Sequence, residues 1–255
     1  MMKFLSGMFL SLFAASAFGA EVMTFDFEGW RIYAIQDAPT RPKASLFTSV
    51  NPSEPFRQSA ADYTGSVNVF IVENTASRRR LMIDTGFGAP IGRLVETMKK
   101  AGLEPDSVSD ILITHIHPDH VGGLKAFPKA KIHIAGLEYR EWLRDRSRAK
   151  LGRFLPEEKE IRLFDYGEIM PGVTALKCAG HTPGHTVFRI GDIWFVGDIV
   201  HAADLQIAHP DFCAAYDMNP AEAAASRRRA LSDFHGTWFG AHLPFPGRLL
   251  RPAQK

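Results

Sequence analysis

Apolar positions along the chain fall in short runs with two different periods. Runs rich in β-branched or aromatic residues are Trp30 to Ile35, Val67 to Val72, Leu81 to Ile83, Ile111 to Thr114, Lys131 to Ile134, Val173 to Lys177, Val187 to Ile190, Ile193 to Val196 and Thr237 to Gly240. Such runs predict strands. Ile91, Leu94, Val95 and Met98 stand at i, i+3, i+4 and i+7, with Gly102 as a stop, and predict a helix. Leu137 to Arg148 predicts another. Asn219-Pro220-Ala221-Glu222 supplies a cap, a first-turn proline and a capping-box acid for a further helix ending near Phe234. Strands followed by helices, twice over, predict α/β layers.

Three stretches carry little periodicity: Asp37 to Ser66, Ser147 to Gly172 and Ile199 to Met218. Long irregular stretches inside a compact domain are disordered or functional, and these predict walls around an active site.

The first 20 residues change the picture of where the chain works. Lys3, the apolar run Phe4 to Phe13 and the small-residue stretch Ala14 to Ala20 predict a signal peptide, with cleavage open among Ala17, Gly19 and Ala20. The run is too short to span a bilayer well. A single domain over residues 21–255, periplasmic or secreted and with no stable membrane insertion after cleavage, is the expectation. Of the 255 residues 45% are hydrophobic and 23% charged, ordinary for a globular chain. A net charge of +2 argues against nucleic acid as a partner. Arg78-Arg79-Arg80 and Arg227-Arg228-Arg229 read as solvated faces. Cys178 and Cys213 are the two cysteines; whether they pair is open without geometry.

The chemistry concentrates in Thr114-His115-Ile116-His117-Pro118-Asp119-His120, directly after a predicted strand. Imidazole and carboxylate are the ligands that borderline divalent metals accept. A strand entering a tight loop can aim His115 and His117 to one side. Asp119 and His120, past Pro118, can then face a neighbouring point, so two ions about 3.5–4 Å apart are geometrically reasonable. Gly122-Gly123 lets backbone pass close by.

This segment resembles the His-x-His-x-Asp-His signature of the metallo-β-lactamase superfamily. Further matches follow in the family's order: Met82 to Gly86, Ala179 to Thr186, Val196-Gly197-Asp198 and Gly240-Ala241-His242. The resemblance covers roughly Val67 to Gly247. It implies a four-layer αββα sandwich. It also implies two divalent ions, zinc first, with manganese, cobalt and iron also suited. By the resemblance His115, His117 and His181 bind one ion, Asp119, His120 and His242 the other, and Asp198 bridges both. Asp84 is implied to orient ligands without touching metal. His185 competes with His181, and the family pattern favours His181. His133, His209 and His235 fit no motif and read as surface or core histidines.

Asp198 favours a bridged dinuclear centre over the β-lactamase arrangement, which the family usually builds with a different residue there. The implied reaction is attack by a hydroxide held between the ions, with Asp198 and Asp119 as catalytic carboxylates. In related lactonases a polar aromatic three residues past this aspartate contacts substrate, so His201 is a candidate to steady the oxyanion; the alternative is a solvent-facing loop histidine. Ala241 to Gly247 resembles the branch of methyl parathion hydrolase-like and N-acyl-homoserine lactonase-like proteins. That implies an ester-like substrate, a lactone or carboxylic ester. A phosphotriester or β-lactam is the alternative, and a non-catalytic metal-binding protein a remote one. Phe212, Tyr216 and Phe245 are candidate pocket residues, with core packing as the competing role.

Overall fold

Residues whose apolar side chains alternate between two covered faces build two stacked sheets. The computed structural model describes residues 21–53, 62–144 and 160–251. The predicted signal peptide, and the predicted helix beyond 144, lie outside the described residues. In chain order the strands begin with β1 (Val22–Phe27), β2 (Trp30–Thr40), β3 (Phe47–Ser49), β4 (Gly65–Asn74), β5 (Arg80–Ile83), β6 (Val108–Leu112), β7 (Lys131–Ala135) and β8 (Ile161–Phe164). They continue with β9 (Gly167–Met170), β10 (Val173–Lys177), β11 (Thr186–Ile190), β12 (Ile193–Gly197), β13 (Phe212–Ala214), β14 (Gly236–Gly240) and β15 (Arg248–Arg251). The helices are α1 (Leu94–Lys100), α2 (Pro118–Val121), α3 (Gly136–Arg144), α4 (Ala203–Gln206) and α5 (Pro220–Asp233).

One sheet has the order β1-β2-β4-β5-β6-β7-β8 and the other β15-β14-β12-β11-β10-β9. Their facing sides share one core, in which Phe70, Val72 and Ile83 meet Phe188, Phe195 and Phe239. Val69, Ile71 and Met82 point the opposite way, onto Leu94 and Met98 of α1 and Trp142 of α3. On the second sheet Trp194, Val196 and Trp238 pack outward against Ala230 and Phe234, at α5 and just beyond it. The layers are therefore helix, sheet, sheet, helix, the sandwich expected. Because both faces are covered, β12 and the Val69 to Val72 stretch of β4 read as unbroken apolar runs rather than alternating ones. The parallel pairs β5–β6 and β12–β14 end at the same edge of the sandwich. In open α/β sheets the carboxyl ends of such strands are where ligands bind.

Every predicted strand run meets a strand, but Ile113 and Thr114 of the fourth run lie beyond the end of β6, in the turn that leads to His115. The first helix starts later than its periodicity suggests. Ile91 precedes it and is 67% exposed. The cause is tertiary: the buried Asp37 carboxylate accepts from Phe87 N and Leu94 N, both at 2.8 Å, and holds the intervening residues in a turn. The Asn219 cap forms as read, its side chain accepting from Glu222 N at 3.2 Å.

Two of the irregular stretches meet each other. β3, from the first, pairs antiparallel with β13, from the third. The described part of the second carries β8 and β9. The basic clusters are not plain solvated faces. Arg78 and Arg80 pair with the buried Glu73, and Arg79 with the buried Asp110. Arg227 is 1% exposed, inside the molecule. Both cysteines are free and buried in separate clusters, Cys178 under the second sheet and Cys213 against α5. Among the described residues no helix is long and apolar enough to cross a membrane.

Candidate metal centre

The strand ends deliver the predicted groups to one place. His115 to His120 follow β6 and run into α2; Asp198 follows β12; His242 follows β14; His181 lies in the turn between β10 and β11. His115 Nε2 lies 2.8 Å from His117 Nδ1 and 3.1 Å from His181 Nε2, and the last two are 2.9 Å apart. Asp119, His120 and His242 gather beside them: His242 Nε2 is 3.4 Å and His120 Nε2 3.8 Å from Asp119 Oδ2. Asp198 stands between the two sets. Its Oδ1 is 3.2 Å from His120 Nε2, and its Oδ2 is 3.1 Å from both His181 Nε2 and His242 Nε2.

These distances suit cations. A tetrahedral zinc with bonds of about 2.0–2.1 Å holds its ligand atoms roughly 3.3 Å apart. His120 Nε2 and Asp198 Oδ1 are buried without a hydrogen-bond partner, although they lie side by side. Both are aimed past each other at shared space, as ligands are. The donor atoms of His115, His117, His181 and Asp198 form one group within 4.8 Å of one another, and those of Asp119, His120 and His242 another.

Electrostatics point the same way. Burial holds His115 well below its ordinary range, and burial with the neighbouring His181 pushes His117 down to about 3, so both are neutral with free lone pairs. Burial opposes charge on His181 and His242 as well, but Asp198, joined by Asp217 at His181 and by Asp119 at His242, outweighs it and raises them to about 9 and about 10. Burial would raise Asp198; the surrounding histidines, His120 and His242 foremost, hold it well below the carboxylate range. Cations entering this set displace protons from the imidazoles.

Outer contacts fix each ring. Asp84 accepts from His120 Nδ1 at 2.8 Å and from Thr114 N and Oγ1 at 2.8 and 2.7 Å. It sits at φ 58°, a left-handed turn that aspartate tolerates better than most residues. His242 Nδ1 donates to Ser66 O at 3.0 Å. His181 Nδ1 donates to Asp217 Oδ1 at 2.8 Å. A Cβ on Gly122 or Gly123 would overlap the carbonyls of Phe87 and Thr85, so the close backbone passage expected there is real.

His185 is buried but stands outside both groups; its Nε2 accepts from Asp198 N at 3.0 Å. His181→Ala is therefore expected to remove about one metal equivalent per chain. His185→Ala should keep the wild-type metal content and weaken binding by less than about tenfold, the low end for an outer contact. Metal analysis after gel filtration decides between them, and the reverse order would exchange the roles of the two histidines. His201 does not face solvent. It is 2% exposed, with Nε2 3.0 Å from Asp198 Oδ2 and its ring stacked on His242. His133 is a core histidine bonded to Asp110 at 2.8 Å.

A pocket of about 390 Å³ opens above Asp198, walled by Thr40, Arg41, Pro42, Leu46 and Tyr216. The walls come from the first and third irregular stretches; the described part of the second, expected there too, contributes no lining residue. Of the three aromatic candidates only Tyr216 lines it, its ring 4.9 Å from that of His201. Phe212 is buried against Phe47 and Leu205, and Phe245 packs on the core between the sheets. Residues the sequence did not flag include Asp217 and Glu138, a buried acid on α3 that accepts from Ile116 N, Thr182 Oγ1 and Gly184 N. Neither stands in a recognisable spacing, so nothing short of the fold could have found them.

A two-sheet sandwich with His and Asp side chains gathered at the carboxyl ends of its parallel strands defines a protein built to hold divalent cations. The family model described as the metallo-beta-lactamase superfamily matches residues 62–236, and the chain belongs to that superfamily. The chain is 37% identical over 93 residues to the N-acyl homoserine lactonase of Bacillus thuringiensis, covering 36% of this chain and 37% of that protein. It is 27% identical over 130 residues to the hydroxyacylglutathione hydrolase of Psychromonas ingrahamii, covering 51% and 45%. The matched stretch thus spans little more than a third of the lactonase. Among solved structures, the hydrolase AbOPH of the beta lactamase superfamily superposes with a TM-score of 0.76 at 27% identity, covering 90% of this chain and 92% of that one. AidC, a dizinc quorum-quenching lactonase, superposes at 0.78 with 22% identity, covering 91% and 94%, a likeness of fold.

Proposed function

We propose that this chain is a dinuclear metal-dependent hydrolase of a small ester-like substrate, a lactone or carboxylic ester. The observation that carries the reading is Asp198, whose carboxylate lies within 3.2 Å of both ligand groups, Oδ1 beside His120 and Oδ2 beside His181 and His242. His115, His117 and His181 would hold one ion, Asp119, His120 and His242 the other, and Asp198 both. Two divalent ions, zinc first among them, lower the pKa of a bound water towards about 7 and polarise the oxygen of the group attacked. The chain's own residues do the rest. Asp198 and Asp119 would offset part of the cations' charge and offer carboxylate oxygens for proton movement. His201, beside Asp198 and at the pocket floor, is placed to donate to the oxygen on which charge develops. Pro42, Leu46 and Tyr216 supply an apolar wall for the rest of the substrate. We further propose that residues 1–20 are a signal peptide and that residues 21–255 act as one domain in the periplasm or outside the cell.

The lactone reading is supported by the curated lactonase relatives, whose match is confined to a part of the chain. A substrate panel on purified protein, with metals counted per chain, tests it. Near two metals with lactone turnover is the expected result. Phosphotriester or β-lactam turnover without lactone turnover would replace the substrate class. One metal or fewer, with no hydrolysis in the panel, would overturn the dinuclear reading.

A further inference from the structure

The segment from Ile199 to Met218 brings three groups to the centre, His201, Tyr216 and Asp217, yet contains only α4 and β13 as regular structure. Backbone carbonyls in so irregular a segment need partners from elsewhere. One side chain satisfies three of them. Arg227, on the buried face of α5, donates Nε to Ile199 O at 2.7 Å and Nη1 to Pro210 O and Phe212 O at 2.7 and 2.8 Å. Its Nη2 stands 3.6 Å from Asp217 Oδ2. Asp217 divides its oxygens: Oδ2 accepts from Ala214 N at 3.0 Å, and Oδ1 accepts from His181 Nδ1 at 2.8 Å. A single guanidinium thus grips the start and the far half of the segment, sharing Phe212 O with Gln206 Nε2 at 2.9 Å, and stands in ion-pair range of the carboxylate behind a cation-facing imidazole.

The chemistry suits arginine alone. Its planar fork presents five donors in fixed directions and stays charged. Lysine offers a point charge and cannot reach three carbonyls and a carboxylate together. A carboxylate behind a ligating histidine fixes the tautomer and ring plane and makes the other nitrogen a better ligand.

We propose that Arg227 is a positioning residue for the metal centre: acting through Asp217 it holds His181, and through three carbonyls it holds the wall that carries His201 and Tyr216. This rests on the reading that His181 binds a cation. The consequence is asymmetric. His181 belongs with His115 and His117, whereas His120 and His242 take their outer contacts from Asp84 and the Ser66 carbonyl, on other elements. Loss of Arg227 or Asp217 loosens one cation and spares the other. A role in packing alone would lower stability without choosing between them.

The test measures zinc per chain and zinc release to a chelator for the wild type, Asp217→Asn, Arg227→Lys, Arg227→Met and the double variant Asp217→Asn/Arg227→Lys. In the single variants one zinc equivalent is expected to bind about 10–100-fold more weakly, the other as in the wild type. In zinc affinity the double variant should match Asp217→Asn, because Arg227 reaches His181 through Asp217 and steps in series are not additive; its carbonyl contacts should add only to the loss of folding stability. Melting of the zinc-free proteins reports folding separately, and if Arg227→Met fails to fold, the other two substitutions carry the test. Both equivalents retained at wild-type strength, both lost in step with the melting temperature, or additive effects would each overturn the proposal. A wild type that takes up no zinc overturns the dinuclear reading and this inference together; a wild type that holds two, with unaltered variants, overturns the inference alone.

Discussion

Asp198→Asn is expected to lose cations and turnover together, by roughly a hundred- to several-thousand-fold. The reasoning is electrostatic. Asp198 is buried, and its carboxylate faces His115, His120, His181, His201 and His242 at 3.0–3.7 Å. Among the described residues it is the one carboxylate within 3.2 Å of both ligand groups. An amide of the same shape keeps one oxygen, replaces the other with a donor and removes the charge. Breaking a buried charged pair costs about 3–5 kcal/mol, and each 1.4 kcal/mol is tenfold in affinity, which sets the range. Stripping the wild type with a chelator should reproduce the loss of turnover, and added zinc should restore the wild type but not the variant at the same concentration. Metal content and initial rates on the best substrate of the panel check this together. A variant with two tightly held metals and near-normal rate would remove the shared carboxylate from the mechanism.

Glu138→Ala should be the most damaging substitution outside the ligand set. Glu138 is fully buried at the start of α3. Oε1 accepts from Ile116 N at 3.0 Å and from Trp142 Nε1; Oε2 accepts from Thr182 Oγ1 at 2.8 Å and Gly184 N at 2.9 Å. Ile116 lies between His115 and His117, and Thr182 follows His181. One carboxylate therefore clasps the two loops that must meet to form the first ligand group. A Cβ at Gly184 would overlap the Glu138 backbone, so the loop lies directly against α3. Alanine leaves four buried donors without a partner and opens a cavity. The cost is about 3–5 kcal/mol, or a melting temperature lower by roughly 6–20 °C for a domain of this size. The loss should persist after chelation, because the clasp does not depend on metal. Melting with and without chelator measures it; a change under roughly 2 °C in both conditions would mean that the loops are held by something else.

The local signals in the chain were strong where one residue's role depended on its neighbours in sequence. The strand runs, the Asn219 cap and the His115 to His120 cluster are of this kind. Ile91 shows the limit: its spacing belongs to a helix, but Asp37, fifty residues before Phe87, reaches across and delays the helix start. Arg227 shows another. Its place in a run of three arginines reads as surface, yet it sits in phase with Ala223, Ala224 and Ala230, the buried face of α5. Helical phase alone could have placed it inside; what it does there required the carbonyls of Ile199, Pro210 and Phe212.

The sequence by itself determined the α/β layers and the His115 to His120 cluster, because strand periodicity and a dense run of ligand-type residues are local properties; His181, Asp198 and His242 joined the set only through the family resemblance. Only the tertiary structure decided how those residues are held. Asp217 behind His181, Glu138 between two loops and the pairing of β3 with β13 join positions far apart in the chain, and such contacts leave no trace in spacing or composition. Their strength comes from burial, where each unpartnered polar group is costly and a single carboxylate or guanidinium can settle the geometry of several segments at once.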